Sequence, residues 1–253
     1  MKTKLLIITV ALICALTLAS CKRDEVSPPV LNTVADVSCI LGETEDMGDG
    51  YIDSFVFFGE STTYHLKSRG VLSGGSSTTQ VLGSKSGTAM LNGETSNMEV
   101  IDPKSGESVS IGEAVRRLKP KYILLSFGLN GALRNVKGGK ELYKANYKRL
   151  TDTIKEASPK TKIIIASCYP IAKSMDTSAY SVSPRELQGH INTLNSWALE
   201  FAADEDFRYL KICDALTDSE GFLREELQVG AGHHLTKDAY VIALTYIRTH
   251  GYN

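Results

Sequence analysis

The sequence predicts one α/β domain, a three-layer α/β/α sandwich on a five-stranded parallel sheet. Two observations lead there. Five short apolar runs alternate with longer segments of helical periodicity, the pattern of strands joined by crossover helices. The apolar runs also lack polar alternation, as strands covered on both faces do. Length and composition agree with this. The chain has 253 residues, 42% hydrophobic and 23% charged, enough for a soluble domain with a sizeable core. Formal net charge is -1. There is no Lys/Arg block and no basic-aromatic patch, so no nucleic-acid partner is expected.

Residues 1–20 read as a leader that is removed. Met1-Lys2-Thr3-Lys4 is a short basic start, and Leu5 to Leu18 is apolar but too short for a permanent membrane span. Leu18-Ala19-Ser20-Cys21 resembles the lipobox of bacterial lipoproteins, in which cleavage before the cysteine accompanies its lipid modification. The resemblance implies acyl chains on Cys21 and a mature protein anchored to the cell membrane outside the cytoplasm. Residues 21–49 are polar, with Pro28-Pro29 and the acidic run Glu43-Thr44-Glu45-Asp46. They read as a tether, leaving 50–253 as the domain. Cys39 lies in the tether. Cys168 and Cys213 fall near strand ends and read as buried thiols, and the spacing suggests neither a disulfide framework nor a metal site.

Within the domain the first strand is Phe55 to Phe58, a short apolar run. It stops at Gly59 and leads through Glu60 and Ser61 into a helix from about Thr62 to Arg69. A serine on a strand-to-helix turn sits where open α/β sheets place their ligands, with backbone N–H groups aimed at it; its simpler reading is an N-cap. Turns follow from Gly70 to Thr79, then a short strand near Thr79 to Leu82 and the loop Gly83 to Thr88. That loop lacks the Gly-Lys-Ser/Thr ending of a phosphate-binding loop. Asn92 to Gly106 reads as an irregular insertion and Ile111 to Leu118 as a helix stopped by Pro120. The next strand, Tyr122 to Phe127, ends in Gly128-Leu129-Asn130-Gly131. Lys140 to Ala157 is helical, with Leu142, Tyr143, Tyr147, Leu150 and Ile154 on its expected buried face. Lys162 to Ser167 is a strand, followed by a long loop from Cys168 to Ser183. Ser183, Pro184 and Glu186 open a capped helix to about Ala203, with Trp197 in the core. Phe207 to Cys213 is the last strand. A loop, Asp214 to Val229, leads to Gly230-Ala231-Gly232-His233-His234-Leu235-Thr236 and a closing helix, Lys237 to Thr249.

Polar chemistry therefore gathers at Ser61, Gly87, Asn130 and the histidine pair. In this order the motifs resemble the blocks of the SGNH, or GDSL-like, hydrolases: Gly59-Glu60-Ser61, Ser86-Gly87-Thr88, Gly128-Leu129-Asn130-Gly131, and Ala231-Gly232-His233-His234-Leu235-Thr236. The lead-in Tyr51-Ile52-Asp53 resembles that of the Firmicutes branch. The resemblance implies a flavodoxin-like SGNH fold with Ser61 as nucleophile and His234 as its base. It also implies an oxyanion hole made by the N–H groups of Ser61 and Gly87 and the Asn130 amide. A serine hydroxyl needs a base to take its proton, and preorganised donors stabilise the charge that develops on the carbonyl oxygen. The activity expected is hydrolysis of small acyl esters, such as O-acetyl groups on glycans, with no cofactor and no metal. His233 and His234 are expected to face different ways.

Three positions depart from the family pattern. Ala231 stands where the family has the triad aspartate, Glu60 replaces aspartate, and Gly131 replaces the aspartate after Asn130. A Ser61–His234 dyad is therefore expected. The charge could also come from Asp214, Asp218, Glu225 or Glu226 on the preceding loop. The alternative is a catalytically weak SGNH-fold lipoprotein that binds a glycan or acylated ligand.

Overall fold

Five strands form one parallel sheet: β1 (Phe55–Gly59), β2 (Val81–Leu82), β5 (Tyr122–Ser126), β6 (Lys162–Ala166) and β7 (Arg208–Leu210), in the spatial order β2-β1-β5-β6-β7. They come from a computed structural model, which describes residues 38–252. The leader, Cys21 and most of the expected tether lie outside the described residues. Counted by sheet strand, the order is 2-1-3-4-5, the flavodoxin-like arrangement, in which ligands bind at the carboxyl edge between the first and third strands. Here that point lies between β1 and β5, which pair in register from Phe55↔Tyr122 to Gly59↔Ser126.

Every residue of β1 and β5 is buried, which is why these strands read as unbroken apolar runs. Their alternation reappears in the packing. Val56, Phe58, Ile123 and Leu125 belong to one core cluster, and Phe55, Phe57, Tyr122 and Leu124 to the other. The first cluster is covered by α3 (Ile111–Leu118), α5 (Lys140–Ala157) and α6 (Pro184–Asp204). The second is covered by α1 (Asp49–Ile52), α2 (Ser61–Ser68) and α7 (Lys237–Arg248). Burying one such Phe or Leu contributes roughly 1.5–3 kcal/mol. The expected capping box on α6 is present, with Ser183 accepting from Glu186 and Glu186 reaching back. Trp197 packs partly buried against the first core, its ring 5.9 Å from that of Tyr143.

Several expectations need correction. Leu142 is 51% exposed, and Asn146 and Thr151 take buried positions on α5 beside Tyr143, Tyr147, Leu150 and Ile154. A helix α4 (Ala132–Gly138) occupies a stretch that carried no expectation. The insertion holds an antiparallel hairpin, β3 (Glu99–Ile101) with β4 (Ser108–Ser110). Strand β7 ends at Leu210, because the Cys213 N–H turns away to the Ser167 hydroxyl. Cys213 is only half-buried. The packed region starts upstream of residue 50: Cys39 and Leu41 are buried, and along the edge of β7 the Leu41 N–H donates to the Tyr209 carbonyl while the Tyr209 N–H donates to the Cys39 carbonyl. An apolar Cys39-Ile40-Leu41 triplet inside a polar stretch was enough to extend the sheet. No helix among the described residues is long and apolar enough to cross a membrane.

Candidate active site

The turn after β1 sets the site. Gly59 is required there by close approach, since a Cβ would run into the Ser126 carbonyl and the Thr63 hydroxyl. Glu60 follows in extended backbone as the N-cap, and Ser61 is the first residue of α2. Ser61 is therefore not the N-cap. Its Oγ lies 3.4 Å from Nε2 of His234, at the long end of a hydrogen bond, as is common without bound substrate.

His234 sits on a two-stranded hairpin, β8 (Gln228–Val229) with β9 (His234–Leu235). Leu235 is fully buried beneath it, and Thr236 caps α7 by accepting from the Ala239 N–H. The buried Tyr240 hydroxyl then donates to the Thr62 carbonyl at 2.6 Å, tying the helix after the base to the helix of the nucleophile. Sequence reasoning assigned Tyr240 no role; its phenol needs a partner once buried, and that need was the available signal.

The surroundings of His234 are unusual in charge. Its ring centroid is 4.5 Å from that of His65 and 4.1 Å from that of His233, so the two adjacent histidines lie side by side rather than facing apart. Burial lowers the His234 pKa to about 4, helped by the positive fields of His233, His65 and Arg69. Burial also lowers His65 and His233, the latter offset in part by the Ala231 carbonyl. None of the four acids considered in the preceding loop bonds to His234. Asp214 is exposed and contacts Cys213, and Asp218 accepts from the N–H groups of Glu220 and Phe222. Glu225 binds Ser174, and Glu226 faces Arg224. His65 was overlooked, although it falls four residues after Ser61 on one helix and so on the same face.

Glu60 has a larger task than the sequence suggested. It is 2% exposed, and its carboxylate accepts three backbone N–H groups: Gly128 at 2.9 Å, Leu129 at 3.1 Å and Asn130 at 2.8 Å. It thus fastens the loop after β5 to the nucleophile turn. Burial outweighs these bonds and pushes its pKa up to about 7. Cys168 is buried against the same carboxylate, Sγ to Oε2 4.0 Å.

The expected oxyanion donors are close by, but two are engaged elsewhere. The Gly87 N–H donates to the Ser84 carbonyl at 2.9 Å. The Asn130 amide donates to Thr88 Oγ1 at 2.9 Å and to the Ala89 carbonyl at 3.0 Å. Among the described residues no such partner holds the Ser61 N–H, at the first position of α2. Gly87 has φ of +72°, and a Cβ there would lie 2.9 Å from the Tyr64 ring. An open cleft of about 680 Å³ adjoins this loop, lined by Ser86, Asn92, Asn97, Met90 and Met98 among others and bounded by Thr88 and Asn130. Among the described residues no group of three or more His, Cys, Asp or Glu side chains is arranged to hold a metal.

A serine on a strand-to-helix turn thus faces a histidine at the carboxyl edge of a 2-1-3-4-5 sheet. By sequence the chain matches the GDSL-like lipase/acylhydrolase family over residues 57–242, and it belongs to that family. Among solved structures it is similar to a G-D-S-L family lipolytic protein from Desulfitobacterium hafniense, at 16% identity and TM-score 0.52. That likeness covers 76% of this chain and 95% of the other, and it shows the shared fold. It also resembles the periplasmic domain of a lipopolysaccharide acetyltransferase from Salmonella ser. Paratyphi A (17%, TM-score 0.49, 82% and 88% covered). A third likeness is to an acetylxylan esterase from Geobacillus stearothermophilus (17%, TM-score 0.41, 56% and 64% covered). No curated protein matches the sequence.

Proposed function

We propose that the protein is a serine esterase that cleaves small acyl esters through a Ser61–His234 dyad. The observation that carries this is the 3.4 Å approach of Ser61 Oγ to His234 Nε2 at the sheet's switch point. Ser61 attacks the ester carbonyl as His234 takes its proton, and water later releases the acyl group by the same route. The substrates are O-acetyl groups on glycans. The cleft beside Thr88 and Asn130 supports this, since its hydroxyls and amides suit sugar hydroxyls and its two methionines suit the apolar face of a sugar ring. During turnover the Ser61 and Gly87 N–H groups and the Asn130 amide serve the oxyanion, which requires the 84–89 loop to give up its internal bonds. The protein is lipid-anchored through Cys21 on the extracytoplasmic side of the cell membrane and belongs to the Firmicutes-type branch, a reading that the Tyr51-Ile52-Asp53 lead-in supports. The leader pattern at residues 1–21 supports the anchor.

The engaged donors and the missing carboxylate at Ala231 favour a second reading: an SGNH-fold lipoprotein with weak catalysis that binds a glycan or acylated ligand. The discriminating experiment is 4-nitrophenyl acetate turnover by the protein beside Ser61→Ala and His234→Ala. The esterase reading expects turnover that both substitutions abolish. Turnover unchanged by Ser61→Ala, or absent from all three folded proteins, sinks it.

A further inference from the structure

Beside the Ser61–His234 pair lie two further imidazoles and a guanidinium, with no acidic side chain among the described residues acting on any of the imidazoles. His65 stands one helical turn beyond Ser61 on α2, and Arg69 one turn beyond His65. The His65 and His233 rings flank His234 at 4.5 and 4.1 Å. The Nδ1 atoms of His65 and His233 are both buried and make no hydrogen bond of good geometry among the described residues, although the Ala231 carbonyl lies near the His233 ring. Arg69 is half-buried, and its guanidinium makes no ion pair or hydrogen bond among them, whereas Arg117, Arg185 and Arg248 each hold a carboxylate. Its charge nevertheless reaches His65 and His234 and lowers both pKa values. The groups acting on the three imidazoles are one another, Arg69 and the Ala231 carbonyl; no acid is among them.

Where the ring proton sits on Nδ1, each imidazole is a donor without an acceptor, and one anionic ligand with two oxygens would satisfy such a donor together with the Arg69 guanidinium. We propose that His65, Arg69 and His233 form a carboxylate-binding site beside the base, and that a carboxylate held there supports His234 in place of the triad aspartate. Its catalytic consequence rests on the esterase reading; the binding site does not. In the acylation step Ser61 Oγ bonds to the ester carbonyl carbon, its proton passes to His234 Nε2, and the carbonyl electron pair moves onto oxygen. The nearby carboxylate stabilises the imidazolium so formed. As the adduct collapses, the C–O bond to the alcohol breaks and the same proton goes to the departing oxygen. The carboxylate comes either with the substrate, as on an acidic sugar ester, or as a separate small acid.

Two measurements test this. The first is 4-nitrophenyl acetate turnover with rising sodium formate at constant ionic strength, together with the 4-nitrophenyl half-ester of adipic acid against 4-nitrophenyl hexanoate. We expect saturable activation by formate, or preference for the half-ester, of at least about tenfold, given the roughly 10,000-fold cost of losing a triad carboxylate. Activation by formate marks a separate acid, and preference for the half-ester alone marks a substrate-borne one. Arg69→Gln should bring either ratio to one, and Arg69→Lys should keep part of it. The second measurement follows the imidazole titrations by NMR, where formate should raise the His65 and His234 midpoints by about one pH unit. Serine-dependent turnover with neither ratio nor midpoint moved overturns the proposal and leaves the esterase. Raised midpoints with no turnover under any condition keep the carboxylate site and remove the esterase reading. No turnover and no movement overturns both.

Discussion

Replacing Glu60 by glutamine should separate what burial and what hydrogen bonding do at the nucleophile turn. Glutamine reproduces the shape of the protonated acid. Its carbonyl can still accept from Gly128 and Asn130, but its NH2 faces the Leu129 N–H, donor against donor. One unmet buried N–H costs about 1–3 kcal/mol, so Glu60→Gln should be less stable by that amount at pH 4.5. The pH dependence then works the other way. The folded protein holds the Glu60 proton up to about pH 7, whereas the unfolded chain releases it near 4.5. Between these values the folded state binds more protons, so stability is greatest below 4.5 and falls as pH rises through 7. The difference is worth about 3 kcal/mol. Glutamine does not titrate, so the stability difference should move by about 3 kcal/mol in favour of the glutamine protein from pH 4.5 to pH 8, closing or reversing the gap. Urea unfolding followed by the fluorescence of Trp197, the one tryptophan, measures it. A gap constant across that range would refute the reasoning. It would mean that the three N–H bonds outweigh burial and hold Glu60 ionised at its ordinary value.

Other consequences are open to direct measurement. With the His234 pKa held at about 4, kcat/KM for 4-nitrophenyl acetate should stay level down to about pH 5, where roughly nine-tenths of the base is neutral. Half-activity between pH 6 and 7, in Glu60→Gln as well as in the parent, would contradict it. Ala231→Asp, if its carboxylate reaches the base, should move that midpoint upward and raise kcat. An unchanged profile would show that residue 231, whose carbonyl faces His233, does not reach His234. Asn130→Ala should lower kcat by about 100-fold or more with little change in KM, the mark of a donor used in the transition state. Equal kcat would leave Asn130 as a loop strut for Thr88 and Ala89. Gly87→Ala should lower Tm and turnover together, since φ of +72° and the Tyr64 ring both oppose a side chain; an unshifted Tm would argue against that constraint.

Most of the sheet was readable because strands buried on both faces must be apolar along their whole length, as β1 and β5 are. Ser61 and Asn130 meet at one sheet edge because parallel strands joined by crossovers bring their carboxyl ends together, whereas His234 reaches them from the separate β8–β9 hairpin. Where burial depended on a neighbour, the reading failed. Leu142 fits the periodicity of α5, yet it stays half-exposed, while Cys39 and Leu41 in a polar stretch found the open edge of β7. Short elements such as α4 and the β3–β4 hairpin carry too few residues for a period to show.

The sequence by itself determined the layered α/β architecture and which residue types could do the chemistry, because periodicity and motif order are properties of the chain. Only the tertiary structure decided how those residues are charged and occupied. The side chains around His234 come from α2 and from the β8–β9 hairpin, far apart in sequence. The buried carboxylate of Glu60 meets backbone donors from the loop after β5, and the Asn130 amide meets acceptors from the loop after β2. Electrostatic and hydrogen-bonding terms depend on distance and burial between such segments, and neither can be read along a chain until it has folded.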